Sequence, residues 1–182
     1  MGQTAPGTSG GQAMADSPAI TREGLFQALC EQWQHTEDAI AAVGEHFDKP
    51  AHNGWTVGDV FRHLTAISHR ESAAVRAMLA TGEYEIPDEG ENEAEVEKFR
   101  SLDYKMLRIE LNTAHGVVWM YVQRFSDEDL AQTYKLMGND WTLGQVLGVV
   151  ARHEADHVAV ALEAAGVPES AVVPVETAHR WT

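Results

Sequence analysis

Over four long stretches of the chain, apolar residues recur every three and four positions, the spacing of one face of an α-helix. The first stretch runs from about Thr21 to Phe47, with Phe26, Leu29, Trp33, Thr36, Ile40, Val43 and Phe47 in one row. Pro50, Asn53 and Gly54 then break the pattern. The second runs from about Thr56 to Thr81 through Val60, His63 with Leu64, Ile67, Glu71, Ala74 and Met78. Thr56 suits its N-cap, Asp59 a reciprocal capping box, and Gly82 its stop. The third runs from about Glu93 to Arg124, with Phe99, Met106, Ile109, Thr113, Val117 and Met120 as its apolar row. The fourth runs from about Thr142 to Ala165 through Val146, Val149 with Val150, His153, His157, Val160 and Ala164. Gly166 and Pro168 stop it.

Between the third and fourth stretches, residues 126–130 read as a capped single turn. Residues 131–140 read as extended, with a turn at Gly138-Asn139. A two-stranded ribbon is the most sheet this pattern allows. Four amphipathic helices make the expected fold all-α, a four-helix up-and-down bundle. Residues 1–18 read as a disordered leader rich in Gly, Ser, Thr and Pro, and residues 19–182 as the bundle with a C-terminal tail.

Composition narrows what such a bundle does. Against 13 Lys plus Arg stand 28 Asp plus Glu, a formal net charge of −15. That field repels phosphate backbones and anionic membranes, so nucleic acid and lipid surfaces are not expected partners. Part of the excess sits in the acidic segment 83–97, which also contains Pro87. Cys30 is the only cysteine and lies in an apolar helical pattern, which excludes an internal disulfide and suits a buried thiol. No apolar run reaches the ~18 residues of a membrane span, and the first residues lack the basic start and apolar stretch of a secretory signal. A cytoplasmic protein is expected.

A short repeat ties the second helix to the fourth. Trp55-Thr56-Val57-Gly58-Asp59-Val60-Phe61 parallels Trp141-Thr142-Leu143-Gly144-Gln145-Val146-Leu147. Each Trp precedes an N-cap, where it can fold back on the first turn. His63 follows its Trp by 8 positions, and His153 and His157 follow theirs by 12 and 16. These offsets are successive turns of one helical face, so the three histidines occupy equivalent faces of two helices that begin alike. Each falls on the apolar row of its helix, where an unpartnered imidazole is costly. His153 and His157, one turn apart, can hold one ion between them, with His63 as a third ligand. Three neutral imidazoles leave a coordination position open, the layout of a catalytic or exchangeable site. Zinc, nickel, iron and manganese all accept these donors.

His69 turns well off the face of His63. His35, His46, His52, His115 and His179 lack a partner at ligand spacing and read as exposed or conventionally hydrogen-bonded. Glu71 lies two turns past His63, about 12 Å along the axis and too far to share an ion, so pairing with an arginine is its expected role. Glu154 and Asp156 flank the paired histidines as acceptors for an imidazole N–H or as parts of a solvated face. His153-Glu154-Ala155-Asp156-His157 spells H-E-x-x-H, but an all-helical bundle offers a peptide substrate no strand, and the third ligand comes from upstream. No nucleophile elbow and no phosphate-binding glycine loop is present.

The segments W-T-V-G-D-V-x-x-H-L at 55–64 and R-H-E-A-D-H at 152–157, in this order within four helices, resemble the DinB/YfiT-like family over about residues 20–165. The resemblance implies a four-helix bundle, often a homodimer, with a divalent metal ion on three histidines that map to His63, His153 and His157. It also implies a small-molecule substrate and, as in its thiol-dependent S-transferases and a mycothiol-dependent isomerase, a low-molecular-weight thiol held by the ion. Zinc and nickel are the foremost metals. Thiol transfer, hydrolysis and isomerisation stay open as reactions. The non-enzymatic alternative is a dimeric metal- or ligand-binding protein of the stress response.

Overall fold

Thr21 accepts a hydrogen bond from the backbone of Gly24 and starts helix α1, Arg22–Val43, which a 3-10 turn at Gly44–His46 extends. Thr56 and Asp59 cap each other reciprocally at the start of α2, Val57–Thr81. Gly82, at φ 77°, ends α2 in the left-handed conformation that favours glycine. A short strand β1 (Glu83–Tyr84) and helix α3 (Gly90–Lys98) follow. Asp103 accepts from the backbone N–H groups of Lys105 and Met106 and starts α4, Tyr104–Val122. Ser126 and Asp129 box the single-turn α5, Asp127–Ala131. Strands β2 (Thr133–Leu136) and β3 (Asn139–Thr142) pair antiparallel around Gly138, and β1 joins β2 in parallel. Thr142 and Gln145 then box the start of α6, Leu143–Ala165, which Gly166 ends. This computed structural model describes residues 21–84, 90–136 and 138–174. The leader, Pro87 and the last residues of the tail, with His179, lie outside them.

The expected all-α bundle is what the chain forms, with each of α1 and α2 packed on both α4 and α6. Two details differ from expectation in the elements themselves, and a third in the direction of the helices. The third stretch is two helices, because Asp103 caps a new start at Tyr104 and the chain turns between Phe99 and Asp103. The ribbon gains a third strand, β1, so a small three-stranded sheet closes one end.

Two apolar clusters fill the bundle. One holds Leu29 and Trp33 of α1, Val75 and Met78 of α2, Val118 and Val122 of α4, and Leu143 and Leu147 of α6. The other holds Ile40 and Val43, Val60 and Leu64, Leu107 and Leu111, and Val158 and Leu162. In α1 and α6 the first cluster precedes the second in sequence, and in α2 and α4 the order is reversed. The four long helices therefore run up, down, down, up, and not in the up-and-down alternation expected, because α4 runs parallel to α2. Between these two in the chain, α3 packs on α2. Arg62 ties this connection down. Its Nε donates to the Phe99 carbonyl at 3.1 Å and its Nη2 to that of Leu102 at 3.2 Å. Asp59, buried, accepts from Arg62 and Arg100. Burial alone would raise its carboxyl pKa, but the hydrogen bonds from Thr56 and the two arginines hold it below the usual range.

Between the clusters lies a belt of buried polar side chains: Thr36 and Glu37, Ser68 and Glu71, His115, and Glu154. The belt explains two errors in the expected apolar rows. In α4 the buried row is Leu107, Leu111, Ala114 with His115, Val118 and Val122, whereas Met106, Ile109 and Met120 are about half exposed. Both rows have helical spacing, and His115 makes the true one look interrupted. In α6 the buried row is Leu143, Leu147, Glu154, Val158, Leu162 and Ala165, one step round from the expected one, with Val149 exposed. Here Glu154 disguises the core face.

Gly58, in the first turn of α2, has no room for a side chain. A Cβ there would lie 2.7 Å from two ring atoms of Phe47, which is buried and stacked on Phe61. The Arg62 guanidinium sits over the same ring and would lie 2.9 Å from the Cβ. Gly58→Ala is expected to cost ~1–3 kcal/mol through this overpacking. Urea unfolding measures it, and an unchanged midpoint would contradict the crowding.

Candidate metal centre

His63 comes from the second turn of α2 and His153 and His157 from the middle of α6, where those two helices pack together. The loop before α2 completes the surroundings. An isolated bridge between Pro50 and Thr56 closes it, and its turn passes through Asn53 and Gly54, both at positive φ. That turn sets His52 and Trp55 against the histidines. The Trp55 ring lies 5.1 Å from the His63 ring, and the His52 ring 6.0 Å from that of His157.

The three expected ligands converge. One potential ligand atom from each of His63, His153 and His157 lies within 4.8 Å of the other two. The Nε2 atoms of His153 and His157 are 3.1 Å apart. Two imidazoles on one tetrahedral zinc, at 2.0–2.1 Å each, would hold their nitrogens about 3.3 Å apart, so this pair is already at ligand spacing. Among the described residues no other group of His, Cys, Asp or Glu side chains converges in this way.

The electrostatics favour the ligating form. Burial, reinforced by His157, His153, Arg70 and His52, pushes the His63 pKa down to about 3. Burial and the neighbouring His153 and His52 push that of His157 down to about 4. Burial also lowers His153, with Arg70 in the same direction, against Asp156 and Glu154. Only neutral imidazole has a lone pair to donate, so at neutral pH all three are ready to bind a cation.

The histidines border the core more than they belong to it. His63 is buried, but His153 and His157 are half-buried. They open on a cavity of about 470 Å³ lined also by His52, Trp55, Ile67 and Arg70, with Asn92 and Glu93 of α3 at its rim. Trp55 donates from Nε1 to Glu93 at 2.9 Å. Arg70 meets Glu95 at 3.2 Å through Nε and donates from Nη2 to Asn92 at 3.2 Å. Sequence spacing does not mark His52, which sits in a loop, but it does mark Arg70, which follows His63 by seven positions and so falls on the same face of α2.

The flanking acids behave otherwise than expected. Neither Glu154 nor Asp156 accepts from the ligand imidazoles, because the buried Nδ1 atoms of His63, His153 and His157 have no partner. Asp156 is exposed. Glu154 turns into the polar belt, accepts from the Thr36 hydroxyl and stands 3.3 Å from Nε2 of His115. It is therefore turned away from the role of the glutamate in a protease H-E-x-x-H. His115 is fully buried, contrary to expectation, and stacks on Trp33 at 5.0 Å. Among the described residues Glu71 pairs with no arginine: both its oxygens are buried without a partner, and burial together with Glu154 pushes its pKa up to about 8. His69 does form an ordinary contact, 2.9 Å from Glu110. Cys30 is buried as expected, and burial raises its thiol pKa.

No helix among the described residues is long and apolar enough to cross a membrane. The sequence model described as the DinB superfamily matches residues 21–161. No curated protein and no solved structure gives a significant match.

Proposed function

The chain belongs to the DinB superfamily, and from that membership and the geometry of its histidines we propose that it is a metal-dependent enzyme acting on a small molecule. The observation that carries this reading is the convergence of three neutral imidazoles, from His63, His153 and His157, at the wall of a cavity of small-ligand size. Their donor set fits a divalent ion, zinc or nickel foremost, with a position left open towards the cavity. Such an ion, when bound, acidifies a thiol or water in that position.

The protein's own residues do the rest. The two helices fix the three imidazoles, and burial keeps them unprotonated. Trp55 and Ile67 give the cavity an apolar wall. The family resemblance favours a thiol as the molecule in the open position and S-transfer as the reaction. A homodimer in the cytoplasm belongs to the same reading, and light scattering of the purified chain reads the dimer directly.

The test is elemental analysis after reconstitution with zinc or nickel and removal of excess metal. Wild type is expected to retain about one ion per chain, and His153→Ala to lose most of it, because two imidazoles cannot replace three. A wild-type protein that retains none, or a variant that retains as much, would sink the proposal. Loaded protein is then offered bacillithiol, mycothiol or glutathione with an electrophile. Turnover that depends on both metal and thiol marks the S-transferase, and tight ligand binding without turnover marks the non-enzymatic alternative.

A further inference from the structure

Arg70 lies seven residues beyond His63 on α2, about 10 Å farther along the helix axis, and lines the same cavity. Its positive charge also helps to lower the pKa of both His63 and His153, as suits a guanidinium at the wall of their common cavity. The side chain is only 16% exposed and is held from one side by α3, with Glu95 on its Nε and Asn92 on its Nη2. Among the described residues Nη1 has no partner, and it is not a buried orphan. A pinned guanidinium with a free donor edge, standing in a cavity, is the arrangement that recognises a carboxylate.

We infer that the molecule held at the three histidines is a small thiol carrying a carboxylate, and that Arg70 binds that carboxylate. The inference rests on the proposed metal site and adds the far end of the ligand to it. Besides the nitrogen donors of the histidines, the cavity is lined by the apolar side chains of Trp55 and Ile67 and by Arg70. A ligand matching them has a metal-binding donor, a short carbon chain and an anion. Charge decides which anion. Glu95 already pairs with Arg70, and Glu93 stands at the rim. One free edge beside two carboxylates accommodates a single negative charge and disfavours a dianionic phosphate. Three neutral imidazoles leave the ion's own charge uncompensated, which favours a thiolate at the other end.

The experiment uses the full chain loaded with cobalt(II), whose own absorption reports occupancy of the histidine site before any ligand is added. It is titrated with 3-mercaptopropionate and with the uncharged 3-mercaptopropanol, each followed by the near-ultraviolet thiolate-to-cobalt band. In wild type the carboxylate thiol is expected to bind about tenfold more tightly or better, the scale of a charge-assisted hydrogen bond. In Arg70→Gln the preference is expected to fall to about twofold or less, with Arg70→Lys in between. Glu95→Gln removes the competing carboxylate and is expected to raise the preference about threefold; this arm stands even if Arg70→Gln does not fold. A wild-type preference near one, a preference unchanged in both Arg70→Gln and Glu95→Gln, or no thiolate band with either probe overturns the inference while leaving the metal site standing. Failure of wild type to bind cobalt overturns both, and is seen before any thiol is added.

Discussion

Glu71→Gln is expected to remove a loss of stability that the wild-type chain suffers as pH rises from about 5 to 8. Glu71 sits in the polar belt on α2 with both oxygens buried and unpartnered, and its pKa in the folded chain is pushed up to about 8 by burial and by Glu154. In the unfolded chain the same carboxyl titrates near 4.5. The folded state therefore holds a proton that the unfolded state has released over that interval. A carboxyl raised in this way contributes stability that is complete below its unfolded pKa and is lost as pH climbs through its folded one. Each pH unit between those two values is worth about 1.4 kcal/mol, so the loss amounts to roughly 4 kcal/mol by pH 8. Glutamine keeps the shape and has no proton to lose. Urea unfolding of both proteins in the presence of a chelator should show similar stability at pH 5 and a growing advantage for the variant above it. Titrating groups that do not interact with Glu71 are common to the two proteins and cancel. A difference between them that is the same at pH 5 and pH 8 would show that Glu71 is ionised or hydrated in the folded chain.

The second large effect is expected at Trp33. Its side chain is 1% exposed, fills the first apolar cluster, and stacks on His115 at 5.0 Å with the rings 17° apart. Trp33→Ala is expected to cost ~3–5 kcal/mol, the usual range for emptying a buried aromatic site. It also uncovers one face of His115 and so admits water towards Glu154 and Thr36, which lie in contact beside it. Trp33→Phe keeps a ring in the stack and should cost less than half as much. Chemical denaturation reads both values, and metal retention in whatever fraction stays folded should be unchanged, since Trp33 does not line the histidine cavity. A cost below about 1 kcal/mol for the alanine variant would mean that the cluster closes over the gap.

The helices and the three histidines are legible in the sequence for the same reason: both obey the period of the α-helix. Caps at Thr56 and Thr142, with Trp residues before them, set the register from which His63, His153 and His157 can be counted to one place. Where periodicity misleads, a polar residue occupies a core position. His115 in α4 and Glu154 in α6 interrupt the true buried rows, so the row of Met106, Ile109 and Met120 looks like the core face although it faces outward. Periodicity ranks faces by hydrophobicity, and a core with a polar belt defeats that ranking locally. His52 reaches the cavity through a loop conformation that leaves no periodic trace, whereas Arg70, seven residues after His63, lies on the same helical face and is legible in the spacing. The splitting of the third stretch at Asp103 is written in a capping residue that a continuous helical pattern obscures.

The segment between α2 and α4 has a consequence for how such a protein changes over time. The three imidazoles stand on α2 and α6, which the bundle core holds rigid, whereas Asn92, Glu93 and Glu95, which hold Arg70 and Trp55, belong to α3 outside that core. On the proposed reading, Arg70 shares α2 with His63, and only the side chains that hold Arg70 and Trp55 in place are inherited on a separate piece of chain. Drift at these positions of α3 would re-aim Arg70 and so change which molecule the proposed metal site admits, while α2 and α6 keep the three imidazoles in place.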